Sequence, residues 1–245
     1  MAMNRVSFSI ASHAAWAPGV ATEQSWREWA RAPFAFSADA EPSVSAMPPM
    51  LRRRAGFLGK MALEVAYQVM DGRTDIPTIF CSRHGEVARS VDLLTQMLDG
   101  ESLSPTGFGL AVHNASAGLF SIARKDQANH LALAAGASSV EHAVIEACSL
   151  LADGEPMVLL VSYDQALPAV FKPFEDVSEQ AWAWAWLMVP AEGEVITLEW
   201  RQAEAVVPEQ AGLPGGLDIL RFQLGSDVSL QRHVANKQWL WSRHA

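Results

Sequence analysis

Along the chain, stretches in which apolar residues recur every three or four positions alternate with short runs in which they are continuous or recur every second position. The first kind predicts helices and the second strands. Residues 6–10 read as a first strand and 23–31 as a short helix presenting Trp26 and Trp29 three apart; the Ala-, Pro- and Ser-rich stretch 32–49 reads as a loop. Over 51–70, Leu51, Ala55, Leu58, Ala62, Val65, Ala66 and Met70 share one helical face, and the pattern stops at Asp71-Gly72. Residues 76–81 predict a second strand, and 86–98 a second helix ending at Asp99-Gly100. Ser104 can then cap a helix with Pro105 at its first position, where a missing N–H costs nothing. Phe108, Val112, Ala115, Leu119 and Ile122 continue it as one apolar stripe, with His113, Asn114, Ala117 and Gly118 on the other side.

Residues 131–135 read as a buried strand that halts at Gly136, and 138–153 as a helix. Three local features carry the helix: Ser138 as N-cap with Glu141 three residues on, apolar Val140, Val144, Ala147 and Leu151, and Gly154 just past the end. Residues 157–162 are a continuous apolar run of strand length. The run AWAWAWLMV at 181–189 has period two, so Trp182, Trp184 and Trp186 share one strand face and the alanines the other, which suits an antiparallel position. The loop 190–194 leads to a strand at 195–201, predicting a hairpin. The order implies an α/β layered sheet, mostly parallel with an antiparallel end. Residues 1–201 read as the domain, and 202–245 as a short C-terminal extension with Gly212-Leu-Pro-Gly-Gly216, a strand at 217–224 and a tail bearing Trp239 and Trp241.

Half of the 245 residues are hydrophobic, enough for a substantial core. The formal charge of −9 argues against an electrostatic nucleic-acid footprint and against attraction to an anionic membrane, leaving proteins or apolar ligands as the expected partners. No apolar run reaches the roughly eighteen residues of a membrane span, and Ser and His interrupt the apolar part of the N-terminal stretch. A cytoplasmic location is expected. Cys81 and Cys148, the only cysteines, are expected to be buried free thiols. No Gly-rich phosphate loop, Cys-x-x-Cys pair or His-Glu-x-x-His motif occurs, so neither cofactor nor metal is expected.

The strand, tight elbow and helix over 131–153 hold whatever residue stands at the tip against free N–H groups and the positive end of a helix dipole. An enzyme would put a nucleophile there, yet the tip is Gly136 between Ala135 and Ala137. Ala134, Ala135, Gly136, Ala137, Ser138 and Ser139 fall on the pattern T-A-C-[AS]-S-[GS], and in this the segment resembles the active-site elbow of β-ketoacyl synthases of the thiolase-like superfamily. The order of elements likewise resembles one thiolase half, βαβαβαββ, in three layers.

The resemblance puts Gly136 where the acylated cysteine would stand and implies a catalytically inactive subunit. It is to the short ketosynthase-like chain length factors of aryl polyene and related polyketide pathways. It implies a heterodimer with an active β-ketoacyl synthase, a role in fatty-acid-like or polyketide chain building, and an acyl carrier protein as a further partner. The dimer would join the elbow-bearing strands, and residues 105–123 would form the wall that limits chain length, with Phe108, Leu110, His113 and Asn114 as gate and interface residues.

Other chemistry stays open. Cys81 with His84 in CSRHG is a nucleophile and base close in sequence, which would make a small acyl-transfer enzyme; the alternative is a core cysteine and a surface histidine. Ser138 and Ser139 do not fit G-x-S-x-G and are explained as caps. His113-Asn114 could be a metal or catalytic pair, but no other ligand is spaced to join them, and a satisfied polar contact explains them. Arg52, Arg53 and Arg54 are a solvated face or a landing site for an acidic carrier, the latter fitting a carrier-binding scaffold.

Overall fold

Residues 4–37, 39–203 and 212–244 are described by the computed structural model; residues 1–3 of the N-terminal stretch and 204–211 of the C-terminal extension lie outside them. The elements in chain order are β1 (Asn4–Trp16), α1 (Glu23–Arg31), α2 (Pro49–Arg52), α3 (Phe57–Met70), β2 (Thr78–Cys81), α4 (Val87–Leu98), α5 (Pro105–Gly109), α6 (Ala115–Arg124) and β3 (His130–Leu133). Then follow α7 (Ser139–Ala152), β4 (Val158–Asp164), a 3-10 turn (Ala169–Phe174), β5 (Trp182–Pro190), β6 (Val195–Gln202), α8 (Gly215–Leu224), β7 (Ser229–Val234) and β8 (Lys237–His244).

The strands form one sheet in the order β3-β2-β4-β5-β1-β6-β8-β7. The α/β three-layer architecture expected from the sequence is present. Its proportions differ: β2 pairs in parallel with β3 and β4, whereas β4·β5, β5·β1, β1·β6, β6·β8 and β8·β7 are all antiparallel. Helical crossovers impose parallel pairing only within the span from β2 to β4, on the pairs β2·β3 and β2·β4.

Strand β5 explains the layering. Trp182, Trp184, Trp186 and Met188 pack into the core beneath α1, α7 and α8, while Ala183, Ala185 and Leu187 pack into the core beneath α3 and α6. Small residues on the second face let α3 approach the sheet, and its own Ala62 and Ala66 are buried there. Large indoles fill the first layer.

Four expectations are corrected. Strands β5 and β6 do not form a hairpin, because β1 lies between them and runs antiparallel to both. Their link arches over β1, pinned where the Ser9 hydroxyl donates to Glu192 O (2.7 Å) and accepts from Glu192 N–H (2.9 Å). Residues 217–224 are helical: Leu217 and Leu220, one turn apart, are both buried, as a helical face requires. The helix expected over 51–70 breaks before Gly56, which adopts an extended conformation as the N-cap of α3. The strand at 131–135 is an edge strand, β3, with Leu131 39% exposed. Residues 215–244 add a helix and a hairpin to the same sheet.

Candidate functional site

The chain leaves β3 and turns at Gly136, whose φ of +60° is a left-handed conformation that glycine adopts without a side-chain penalty. A Cβ built there would meet no atom within 4 Å. Ser139 fastens the turn: its hydroxyl accepts the Ala135 N–H (2.8 Å) and donates to Gly136 O (2.7 Å). Ser138 stands at the N-cap of α7 but makes no capping bond, its hydroxyl donating to Ala135 O (3.2 Å). Glu141 does not reach back to form a capping box. It is 0% exposed and pairs with Arg232 of β7, whose guanidinium also donates to Ala137 O (3.3 Å). The elbow is therefore tied to the far edge of the sheet through a buried ion pair.

Gly136 and Ala137 border a cleft of about 470 Å³. Its other walls are Arg83 and His84 after β2, Asp164 at the end of β4, Glu179 and Trp182 at the start of β5, and Gly215-Gly216 opening α8. Those two glycines are structural. A Cβ on Gly215 would overlap the Arg232 guanidinium and one on Gly216 the Trp182 ring, so both side chains press directly on helix backbone.

The polar groups of the cleft are held by one another. Asp164 accepts from the Ser82 hydroxyl (2.8 Å) and the Arg83 N–H (2.9 Å). Arg83 makes a two-pronged pair with Asp176 (2.6 Å for one prong), and that bond holds the Asp176 carboxyl below its usual range. His84 Nε2 lies 2.9 Å from Glu179, whose second oxygen accepts the Leu167 N–H (3.0 Å). The segment 165–181 is thus strapped to the turn after β2. Sequence reading missed Asp164, Asp176, Glu179 and Arg232, because each finds its partner more than 80 residues away.

Burial raises the Asp164 pKa from 3.8 to about 6, against the downward pull of the Ser82 and Arg83 bonds. The folded chain binds this proton more tightly than the unfolded one, so the contribution to stability is full below about pH 4 and is lost as pH rises through about 6. Asp164→Asn, which keeps an acceptor for both donors, is expected to lose stability less than the parent protein between pH 5 and 7. Melting curves of both proteins across that range check this, and parallel pH profiles would refute it.

The other sequence-predicted residues do not share the cleft. Cys81 is buried in the core, its thiol pushed well above the ordinary range by burial first and by the nearby Asp164 and Glu141 charges second. Such a thiol is neither accessible nor ionised, and His84 is turned to Glu179. Cys148 is also buried and free, with its pKa raised to about 12 by burial. The stripe 105–122 is not one helix: α5 and α6 are separated by residues 110–114, leaving Phe108 65% exposed and Val112 and Ile122 exposed, while Leu119 is buried. Asn114 is exposed, Leu110 packs against the core under α3, and His113 Nε2 lies 3.2 Å from Leu133 O. Arg53 and Arg54 are exposed. Among the described residues, no three His, Cys, Asp or Glu side chains are gathered to hold a metal ion, and no helix is long and apolar enough to cross a membrane.

The sequence matches the family β-ketoacyl synthase, N-terminal domain, over residues 26–242. The chain belongs to this family. No curated protein matches it. Among solved structures, this ketosynthase-family chain is similar to a chain of the complex of the ketosynthase ApeO with its chain length factor ApeC from Xenorhabdus doucetiae. The two are 24% identical with a TM-score of 0.83, over 97% of this chain and 100% of that one. It is also similar to the ishigamide ketosynthase/chain length factor (17%, TM-score 0.64, 81% of this chain and 68% of that one). A β-ketoacyl synthase from Burkholderia phymatum is a further likeness (11%, TM-score 0.59, 75% of this chain and 59% of that one). At these identities the likeness is one of fold.

Proposed function

We propose that this chain is a non-catalytic chain length factor that pairs with an active β-ketoacyl synthase and limits the length of the acyl or polyene chain, in aryl polyene or related type II polyketide biosynthesis. The observation that carries the reading is Gly136: a ketosynthase-family elbow with an open tip and no side chain to carry an acyl group. The full-length likeness to a chain of a ketosynthase and chain length factor complex supports it.

Pairing is supported by the β3 edge. Its backbone has no neighbour on one side among the described residues, and the elements just before it expose Leu94, Met97, Leu98, Phe108, Val112 and Ile122. An edge strand flanked by apolar side chains calls for a partner. In this reading Phe108, Leu110, His113 and Asn114 belong to the wall and interface, and the growing chain arrives on an acyl carrier protein.

Co-expression with a ketosynthase encoded beside it, light scattering and a carrier-linked elongation assay test the reading. A one-to-one complex that elongates only with both chains present, and is indifferent to Cys81→Ser, is expected. Within it, Phe108→Ala should lengthen the product, and an unchanged product spectrum would remove Phe108 from the gate. A monomer turning over an acyl thioester alone would overturn the proposal.

A further inference from the structure

Three segments meet at the carbonyl of Leu133, three residues before the elbow tip: the end of β3, the turn after β2, and the irregular link between α5 and α6. Resting on the chain-length reading, we infer that His113 is a positioning residue that sets the gate segment against the elbow, with Gly85 as its seat.

Residues 110–114 have no helical ladder of their own, so their placement depends on what they touch. His113 Nε2 donates to Leu133 O at 3.2 Å, and the Ser82 N–H donates to the same oxygen at 3.2 Å. A carbonyl has two lone pairs and can take both. Donation puts the ring proton on Nε2 and leaves Nδ1 facing Gly85. A Cβ on Gly85 would overlap Nδ1 and lie 3.2 Å from Cε1, so the ring rests on bare backbone, at a φ of +60° that favours glycine. The seat is itself fixed. The Gly85 N–H donates to the Ser82 hydroxyl (2.8 Å), which donates to Asp164 (2.8 Å). The Ser90 hydroxyl lies 3.3 Å from both Ala111 O and Glu86 O, so its one proton is shared between the link and its own helix. His113 lies beside Asn114 and five residues after Phe108, so a shift of its ring carries the gate segment with it.

The test uses the co-expressed complex. His113→Phe keeps the ring and loses the donor, while His113→Gln keeps a donor of similar reach. His113→Phe should raise the ratio of over-length to normal product by up to about tenfold, the equivalent of one hydrogen bond, and His113→Gln should restore most of the parent distribution. Gly85→Ala should reproduce the His113→Phe product pattern although the donor is intact. An unaltered distribution in His113→Phe, with Phe108→Ala active as a gate variant, would overturn the inference alone; inert variants at both positions would overturn the chain-length reading beneath it. Nitrogen NMR of the complex with only this chain's histidines labelled gives a second readout. A His113 ring protonated at Nε2 is expected, and a ring protonated at Nδ1 alone would overturn the inference whatever the products are.

Discussion

Replacing Trp186 with alanine is expected to destabilise the chain by about 3–5 kcal/mol, the range for emptying an aromatic site in a core. That is a large fraction of the 5–15 kcal/mol available to a domain. The indole is fully buried, stacked on Trp184 at 4.3 Å between ring centroids, with Phe8 at 6.1 Å and the edge of Trp241 at 6.5 Å. The surrounding side chains belong to a sheet and three helices and cannot all close on the void. Phenylalanine separates packing from polarity. The Trp186 N–H is buried without a partner, so Trp186→Phe gives up ring area but removes an unsatisfied donor. The Trp184 N–H donates to Gly216 O at 2.9 Å, so Trp184→Phe leaves a carbonyl at the cleft wall without its bond. Urea titration should therefore rank Trp186→Ala as the most damaging, Trp184→Phe next and Trp186→Phe the mildest. A Trp186→Ala protein within about 1 kcal/mol of the parent would mean that the indole stack is not what holds α1, α7 and α8 against this face of the sheet.

The ordering also shows what could be seen in the sequence. The AWAWAW run is legible because period two allows only one assignment of faces, and Glu23–Arg31 because Trp26 and Trp29 stand three apart, on the face that the helix buries. The elbow is legible because its signals are adjacent. What escapes is whatever depends on distant pairing. Nothing near residue 9 says that β1 will separate β5 from β6, since its partners lie some 180 residues on. The run 217–224 is too short for periodicity to choose helix over strand, and the decision falls to Trp182 and Arg232 packing on Gly216 and Gly215. The cleft is hidden for the same reason. Arg83, Asp164, Glu179 and Arg232 look like ordinary surface charges until the sheet brings β2, β4, β5 and β7 to one end.

Glu141→Ala is expected to cost about 3–5 kcal/mol, because it strands the Arg232 guanidinium in a nearly closed site beside the start of α8. The helix N-terminus there is positive, and Asp218 in the first turn of α8 is a nearby carboxylate that offsets the loss only in part. The pair itself need not be strongly stabilising. One Glu141 oxygen is buried without a partner, and desolvating two charges consumes most of their attraction. Glu141→Leu combined with Arg232→Met should therefore recover most of the stability that Glu141→Ala loses. It should not recover the elbow. Arg232 is the side chain that links β7 to Ala137 O, and methionine cannot make that bond. Hydrogen exchange at Ala135, Ser138 and Ser139, whose N–H groups close the turn, should thus be faster in the double variant than in the parent protein even where urea midpoints agree. Equal exchange in the two would show that the turn around Gly136 is held by the Ser139 bonds alone. Faster exchange would identify the ion pair as the device that keeps the elbow rigid although its tip, Gly136, carries no side chain.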